Sequence, residues 1–140
     1  MKRHKLFIDE NLPPTIGPVI EQMFRRNLMI RSGYQESTHG MKDVPLIEHL
    51  SALSFAGIIT SDFAQIDTND DERAALRNAG LHWIGVPKPQ AKGIAQISQI
   101  TAAVISAMPQ ILAEWPSDPT AFRIYSKPMA KASVPRSELL

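Results

Sequence analysis

Asp9 and Glu10, Asp43 and Asp62 are the residues of this chain whose types and spacing could do chemistry together. The apolar run Leu6-Phe7-Ile8 stops on Asp9-Glu10, and Asn11-Leu12-Pro13-Pro14 then forces a turn. Gly57-Ile58-Ile59-Thr60-Ser61 repeats the pattern and stops on Asp62. Open parallel sheets gather their ligands outside the carboxyl ends of their strands. If these two strands are neighbours, Asp9 and Asp62 approach closely, and unpaired carboxylates so placed repel. A divalent cation relieves that repulsion: Mg²⁺ or Mn²⁺ takes oxygen ligands and keeps several waters. Such an ion can activate water and stabilise the transition state of phosphodiester hydrolysis.

Each acid alone also has an ordinary structural use. Asp43 is a good N-cap for the helix that follows it, and Glu10 and Asn11 can satisfy the turn after the first strand. Asp62 can be a strand-end turn residue. Only the convergence of Asp9 and Asp62 favours a site. Asp70, Asp71 and Glu72 are assigned to the start of a helix, where acids complement the macrodipole and Arg73 and Arg77 complete the pattern. Asn69 and Glu72 have the spacing of a capping box.

Other chemistries find little support. His4, His39, His49 and His82 show no short metal-ligand spacing and cysteine is absent, which argues against zinc. No glycine-rich phosphate loop follows a strand, and no serine sits in a G-x-S-x-G elbow.

The elements that must hold the acids follow from periodicity. Residues 5–9 read as a buried parallel strand. A helix with prolines in its first turn follows, its apolar face marked by Val19, Ile20, Met23 and Phe24. A weak strand near 28–31 and a loop over 32–42 lead to a helix that begins at Asp43 and is stopped by Gly57. The strand 58–61, a helix opened by Asn69 and closed by Gly80, and a strand over 81–86 come next. A long helix spans about 92–114 with Pro109 inside it, and 121–125 reads as a last, edge strand. The order predicts an α/β fold: one central, mostly parallel sheet with helices on both faces. Residues 1–126 form the expected domain, and 127–140, without apolar period, a flexible tail.

Bulk properties set the frame. The chain has 140 residues, 44% of them hydrophobic and 21% charged, with a formal net charge of +1. That is enough chain for one domain with a real core. The basic start Met1-Lys2-Arg3-His4-Lys5 meets Asp9-Glu10 too soon to be a signal peptide, and no segment reads as a membrane span. A cytoplasmic protein is expected. Cations at Lys2, Arg3 and Lys5, at Arg25, Arg26 and Arg31, and at Lys127, Lys131 and Arg136 surround an acidic centre, a distribution that suits a phosphate-backbone partner. Ordinary solvated surface charge accounts for it as well.

With these motifs in view, the chain resembles the PIN-like proteins, over roughly residues 5–115. The resemblance rests on Phe7-Ile8-Asp9-Glu10-Asn11-Leu12-Pro13, on an acid opening the second long helix, and on the strand end Ile58-Ile59-Thr60-Ser61-Asp62-Phe63. It is narrowest to the small group whose chains begin with a strand running into Asp-Glu-Asn-Leu-Pro. The resemblance implies a three-layer PIN-like fold and an Mg²⁺- or Mn²⁺-dependent ribonuclease, many relatives being toxins of bacterial toxin–antitoxin pairs. It implies Asp9, Asp43 and Asp62 as metal-binding catalytic acids. Glu10 and Asn11 would support them, and Thr60 or Ser61 would orient a ligand or water. Relatives often carry a fourth acid two residues after the strand-end Asp. Here that position is Ala64, and Asp67 is the nearest later acid. The implied partners are an RNA substrate, a cognate antitoxin protein and a second copy of the chain, with the segment after Trp115 available for such an interface.

Other readings compete. Asp9-Glu10, Asp62 and Lys88-Pro89 mimic a receiver domain, yet only one helix separates Asp62 from the Lys88 strand, where a receiver needs two. A haloacid-dehalogenase-type phosphatase needs an acid where Asn11 stands. A non-catalytic PIN-like module that binds RNA or protein stays open because of Ala64.

Overall fold

The computed structural model describes residues 2–33, 35–124 and 136–140. Its elements are β1 (His4–Ile8), α1 (Ile16–Met23), β2 (Leu28–Ser32), α2 (Asp43–Ala52), β3 (Gly57–Thr60), α3 (Ala64–Asp67), α4 (Asp70–Ala79), β4 (His82–Gly85), α5 (Ile94–Glu114), β5 (Thr120–Arg123) and β6 (Arg136–Leu139). The six strands form one sheet in the order β2-β1-β3-β4-β5-β6. β1 to β5 are mutually parallel, and β6 runs antiparallel to β5.

Parallel strands are buried on both faces, so they read as continuous apolar runs. β3 and β4 are buried along their whole length. On one face Leu6, Ile8, Ile59 and Ile84 pack against Ile16 and Ile20 of α1 and Ile100, Val104, Met108 and Ile111 of α5. On the other, Phe7, Ile58 and Trp83 pack against Leu46, Ile47 and Leu50 of α2, Ile66 of α3 and Leu76 of α4. The result is the predicted α/β architecture, helix on sheet on helix. Gly85 has no Cβ because the Trp83 indole occupies the space one would need. Gly80, at φ 73°, closes α4 in the left-handed conformation that only glycine adopts without cost.

Strand order decides where a site can form. From β1 the chain crosses outward to β2, and from β3 it crosses the opposite way to β4. The crevice between the carboxyl ends of β1 and β3 is therefore the topological switch point. Asp9 N–H donates to the Ile59 carbonyl at 2.9 Å, which holds the end of β1 against β3.

Two expectations change at the C-terminal end. β5 is an inner strand, and residues 136–139 of the expected flexible tail form β6 beside it. Residues 127–135 of that tail lie outside the described residues. β6 is exposed throughout, so it has no apolar period to detect. It is held by its backbone ladder and by charge: Arg123 and Arg73 both reach Glu138, and Arg73 also donates to the Leu139 carbonyl. The helix beginning at Asn69 is preceded by a separate short turn of helix, α3, that periodicity does not reveal.

Candidate metal centre

The turn after β1 is built by Asp9 itself. Its Oδ1 accepts from the Glu10 N–H at 2.9 Å, and its Oδ2 accepts from the Thr60 hydroxyl at 2.9 Å. Thr60 is fully buried at the end of β3, and its Oγ1 also accepts from the Asp62 N–H at 3.0 Å and from Asn11 Nδ2 at 3.2 Å. One hydroxyl thus ties together Asp9, Asn11 and the backbone of Asp62. Asn11 Oδ1 accepts from the Ser61 N–H at 3.2 Å, so this amide staples the β1 turn onto β3. Ser61 Oγ points the other way and donates to the Val86 carbonyl at 2.6 Å, bracing the end of β4. Glu10 turns toward the 33–42 loop, where its Oε2 meets His39 Nδ1 at 2.9 Å and the Gly40 N–H at 3.4 Å.

Asp43, Asp62 and Glu72 come together, each offering a carboxylate oxygen within 4.8 Å of the others. Asp43 is the first residue of α2, and Lys42 rather than Asp43 holds the cap position, so the Asp43 carboxylate is not consumed by the helix end. Glu72 is the residue the sequence reading set aside. Its assignment to a capping box is half right. Asn69 accepts from the Glu72 N–H at 3.0 Å, but the Asn69 N–H already donates to the Ala64 carbonyl at 2.9 Å. With no donor left for the reciprocal bond, the Glu72 carboxyl turns inward and hydrogen-bonds Asp43. The α3 turn is what occupies that N–H, and nothing in the local sequence signals it.

Asp67 goes elsewhere. It forms a two-oxygen ion pair with Arg123, one arm of it at 3.1 Å, and this guanidinium holds its carboxyl below the usual carboxylate range. Asp67 is therefore a brace between α3 and β5.

Electrostatics mark the cluster as a place where negative charge accumulates. Burial, the hydrogen bond to Asp43 and the repulsion of Asp43, Asp62 and Asp9 raise the Glu72 carboxyl to about 8. Burial also raises Asp9, which is 8% exposed; the Thr60 and Glu10 hydrogen bonds offset part of this, and the Asp43 and Glu10 charges add to it. Without a cation, the cluster keeps a proton on Glu72 at neutral pH. A divalent ion would replace that proton, and an all-oxygen donor set suits a hard ion such as Mg²⁺ or Mn²⁺. The residues fit the group. Asp43 and Glu72 open onto a cleft of about 570 Å³ that Glu10, Lys42 and Asn69 also line.

The basic patches are distributed differently from the acids. His4 opens β1 and its N–H bonds the Asn27 carbonyl, so Lys2, Arg3, Arg25 and Arg26 lie toward the amino ends of the strands, away from the acids. Arg3 is spent on Glu21 and the Leu28 carbonyl, and Arg31 on Glu36. Lys42, beside Asp43, and Lys88, just past β4, lie toward the carboxyl ends of the strands. Among the described residues, no helix is long and apolar enough to cross a membrane.

Comparison with known proteins agrees with this geometry. Residues 4–88 match a family described as PIN like domain. Neither a curated protein nor a solved structure matches the chain. The matched span runs from β1 past β4 and contains Asp9, Asp43, Asp62 and Glu72, the whole acidic centre. The chain therefore belongs to the PIN-like domain family, whose fold is of a nuclease type.

Proposed function

We propose that this protein is a metal-dependent endoribonuclease, the toxin of a bacterial toxin–antitoxin pair acting in the cytoplasm. The observation that carries the reading is the convergence of Asp43, Asp62 and Glu72 within 4.8 Å at the switch point of a PIN-like sheet. These three residues would hold Mg²⁺ or Mn²⁺, with Asp9 behind them. The bound ion supplies a Lewis acid for the phosphodiester and lowers the pKa of a coordinated water.

The chain's own residues do the positioning. Thr60 and the Glu10 N–H fix the Asp9 carboxylate, and Asn11 locks the two strand ends that carry Asp9 and Asp62. Asp9, raised by burial, would be suited to take a proton at its carboxylate. Lys42 lies in the same cleft and offers a cation to an RNA phosphate. Ala64 ceases to favour an inactive module once Glu72 provides the further acid. An antitoxin protein and a second copy of the chain are the partners this reading entails.

The test is cleavage of a mixed RNA pool by purified protein in Mn²⁺ and in EDTA, with the Asp62→Asn and Glu72→Gln variants alongside. Cutting that needs the metal and fails in both variants is expected. Cutting that persists in EDTA, or in Asp62→Asn, would sink the proposal.

A further inference from the structure

We propose that the Asn69 side-chain amide binds a non-bridging phosphate oxygen of RNA in the acidic cleft. This rests on the ribonuclease reading above. Asn69 caps α4 in an extended conformation, and its Oδ1 accepts from the Glu72 N–H at 3.0 Å. That bond fixes which end of the amide is oxygen. The two Nδ2 hydrogens are left over, and among the described residues they meet no acceptor. Asn69 is exposed and lines the cleft beside Glu72.

The cleft offers an anion few donors. Glu10, Asp43, Asp71 and Glu72 bring carboxyl groups to it. The proton on Glu72 goes to Asp43. The backbone N–H groups of Glu10, Met41 and Asn69 are bonded to Asp9, Thr38 and Ala64, and that of Glu72 to Asn69. Lys42 Nζ and Asn69 Nδ2 are the side-chain donors that remain. The N–H groups of Lys42, Asp43, Val44 and Asp71 have no acceptor within a helix, so α2 and α4 both turn positive ends toward the cleft.

Lys42 stands where α2 begins and Asn69 where α4 begins, and these helices pack on the same face of the sheet. A phosphodiester lying between them presents oxygens that only accept, and the carboxylates repel them. Lys42 and Asn69 meet those oxygens from the two helix starts, as Lys and Asn commonly do on nucleic-acid backbones. The residue type fits the task. Asn, Asp and Ser cap a helix about equally well. Asp would set a further carboxylate against the phosphate, and Ser carries one hydrogen on a shorter arm. Asn is the one of the three that caps α4 and still presents an N–H₂ group.

The experiment measures binding of labelled oligouridylate and oligoadenylate by fluorescence anisotropy in Mn²⁺. Asp62→Asn serves as the parent, so that no strand is cut. Adding Asn69→Ser should weaken both oligomers about tenfold, the loss of one hydrogen bond to a charged acceptor. Adding Asn69→Asp should weaken them further, through charge repulsion. Urea midpoints of both should match the parent's, because both keep the cap. Unchanged affinity in Asn69→Ser, a loss confined to one oligomer, or a parent that binds neither would overturn the proposal. So would a binding loss that tracks a fall in the urea midpoint, which would leave Asn69 a helix cap and nothing more. Cleavage by the wild type in Mn²⁺ reads the ribonuclease assignment separately. Binding that Asn69→Ser weakens, without cleavage, leaves the phosphate contact standing; cleavage with unchanged affinity leaves the nuclease standing.

Discussion

Glu72 of α4 donates a hydrogen bond to the Asp43 carboxylate of α2, across the line where these two helices pack on the same face of the sheet. The proton they share is held by burial and by the negative charge of Asp62 and Asp9 around it. Two helices that would otherwise repel through their acids are joined at the mouth of the crevice.

This relationship sets a pH dependence. The Glu72 carboxyl is raised in the fold from 4.5 to about 8, so the folded protein binds a proton that the unfolded chain releases. Its contribution to stability is complete below pH 4.5 and is lost as pH rises through about 8. Urea midpoints in EDTA should fall between pH 5 and pH 8 in the wild type more than in Glu72→Gln. Parallel profiles for the two proteins would show that Glu72 does not hold this proton. Mn²⁺ should restore the lost stability at pH 8 in the wild type alone.

Thr60 should matter more than its lack of charge suggests. Its hydroxyl positions Asp9 and accepts from both Asn11 and the Asp62 backbone. Groups that orient a metal site's ligands typically cost about 10–100-fold in activity or metal affinity when removed. Thr60→Val is expected to lose RNA cleavage by about that factor, and Thr60→Ser, which keeps the hydroxyl, to retain it. Equal cleavage by Val and Ser variants would confine Thr60 to packing.

Asp67 is predicted to be dispensable for cleavage. Its two-oxygen pair with Arg123 is partly exposed, and such pairs contribute about 0.2–1 kcal/mol. Asp67→Asn should cleave RNA at the wild-type rate with a loss of stability no larger than that. The pairing holds the Asp67 carboxyl low, so its contribution is present at neutral pH and lost on acidification through the folded value. Loss of cleavage in this variant would return Asp67 to the site.

His82 contributes to the acid limb. It is buried at the start of β4, where its Nδ1 accepts from the Thr120 N–H at 3.1 Å and its ring lies 4.7 Å from the Trp115 ring. Burial holds its pKa below 6.5, so the unfolded chain takes up the proton first. The stability from neutral His82 is present above pH 6.5 and is lost as pH falls through the folded value. His82→Asn keeps an acceptor near the same place without titrating. Its unfolding midpoint should change less between pH 7 and pH 5 than that of the wild type.

How much of this was legible in the residues divides along one line. β1, β3 and β4 were readable because strands buried on both faces are short apolar runs, and such runs survive any tertiary context. The acids at Asp9 and Asp62 were readable because they end those runs. β6 was not, because Arg136-Ser137-Glu138-Leu139 is exposed and joined by backbone and charge. Asp67 and Glu72 were exchanged for a related reason. Both are acids in short helices, and the local logic of caps and dipoles explains either one.

The sequence by itself determined the α/β class and placed Asp9 and Asp62 at strand ends, since hydrophobic burial writes its period directly into the chain. Tertiary structure alone decided which further acids join them. Arg123, arriving from β5, takes Asp67 away, while the α3 turn occupies the Asn69 N–H and leaves Glu72 free to meet Asp43. Contacts between residues so far apart in the chain depend on how helices pack, and packing leaves no local period.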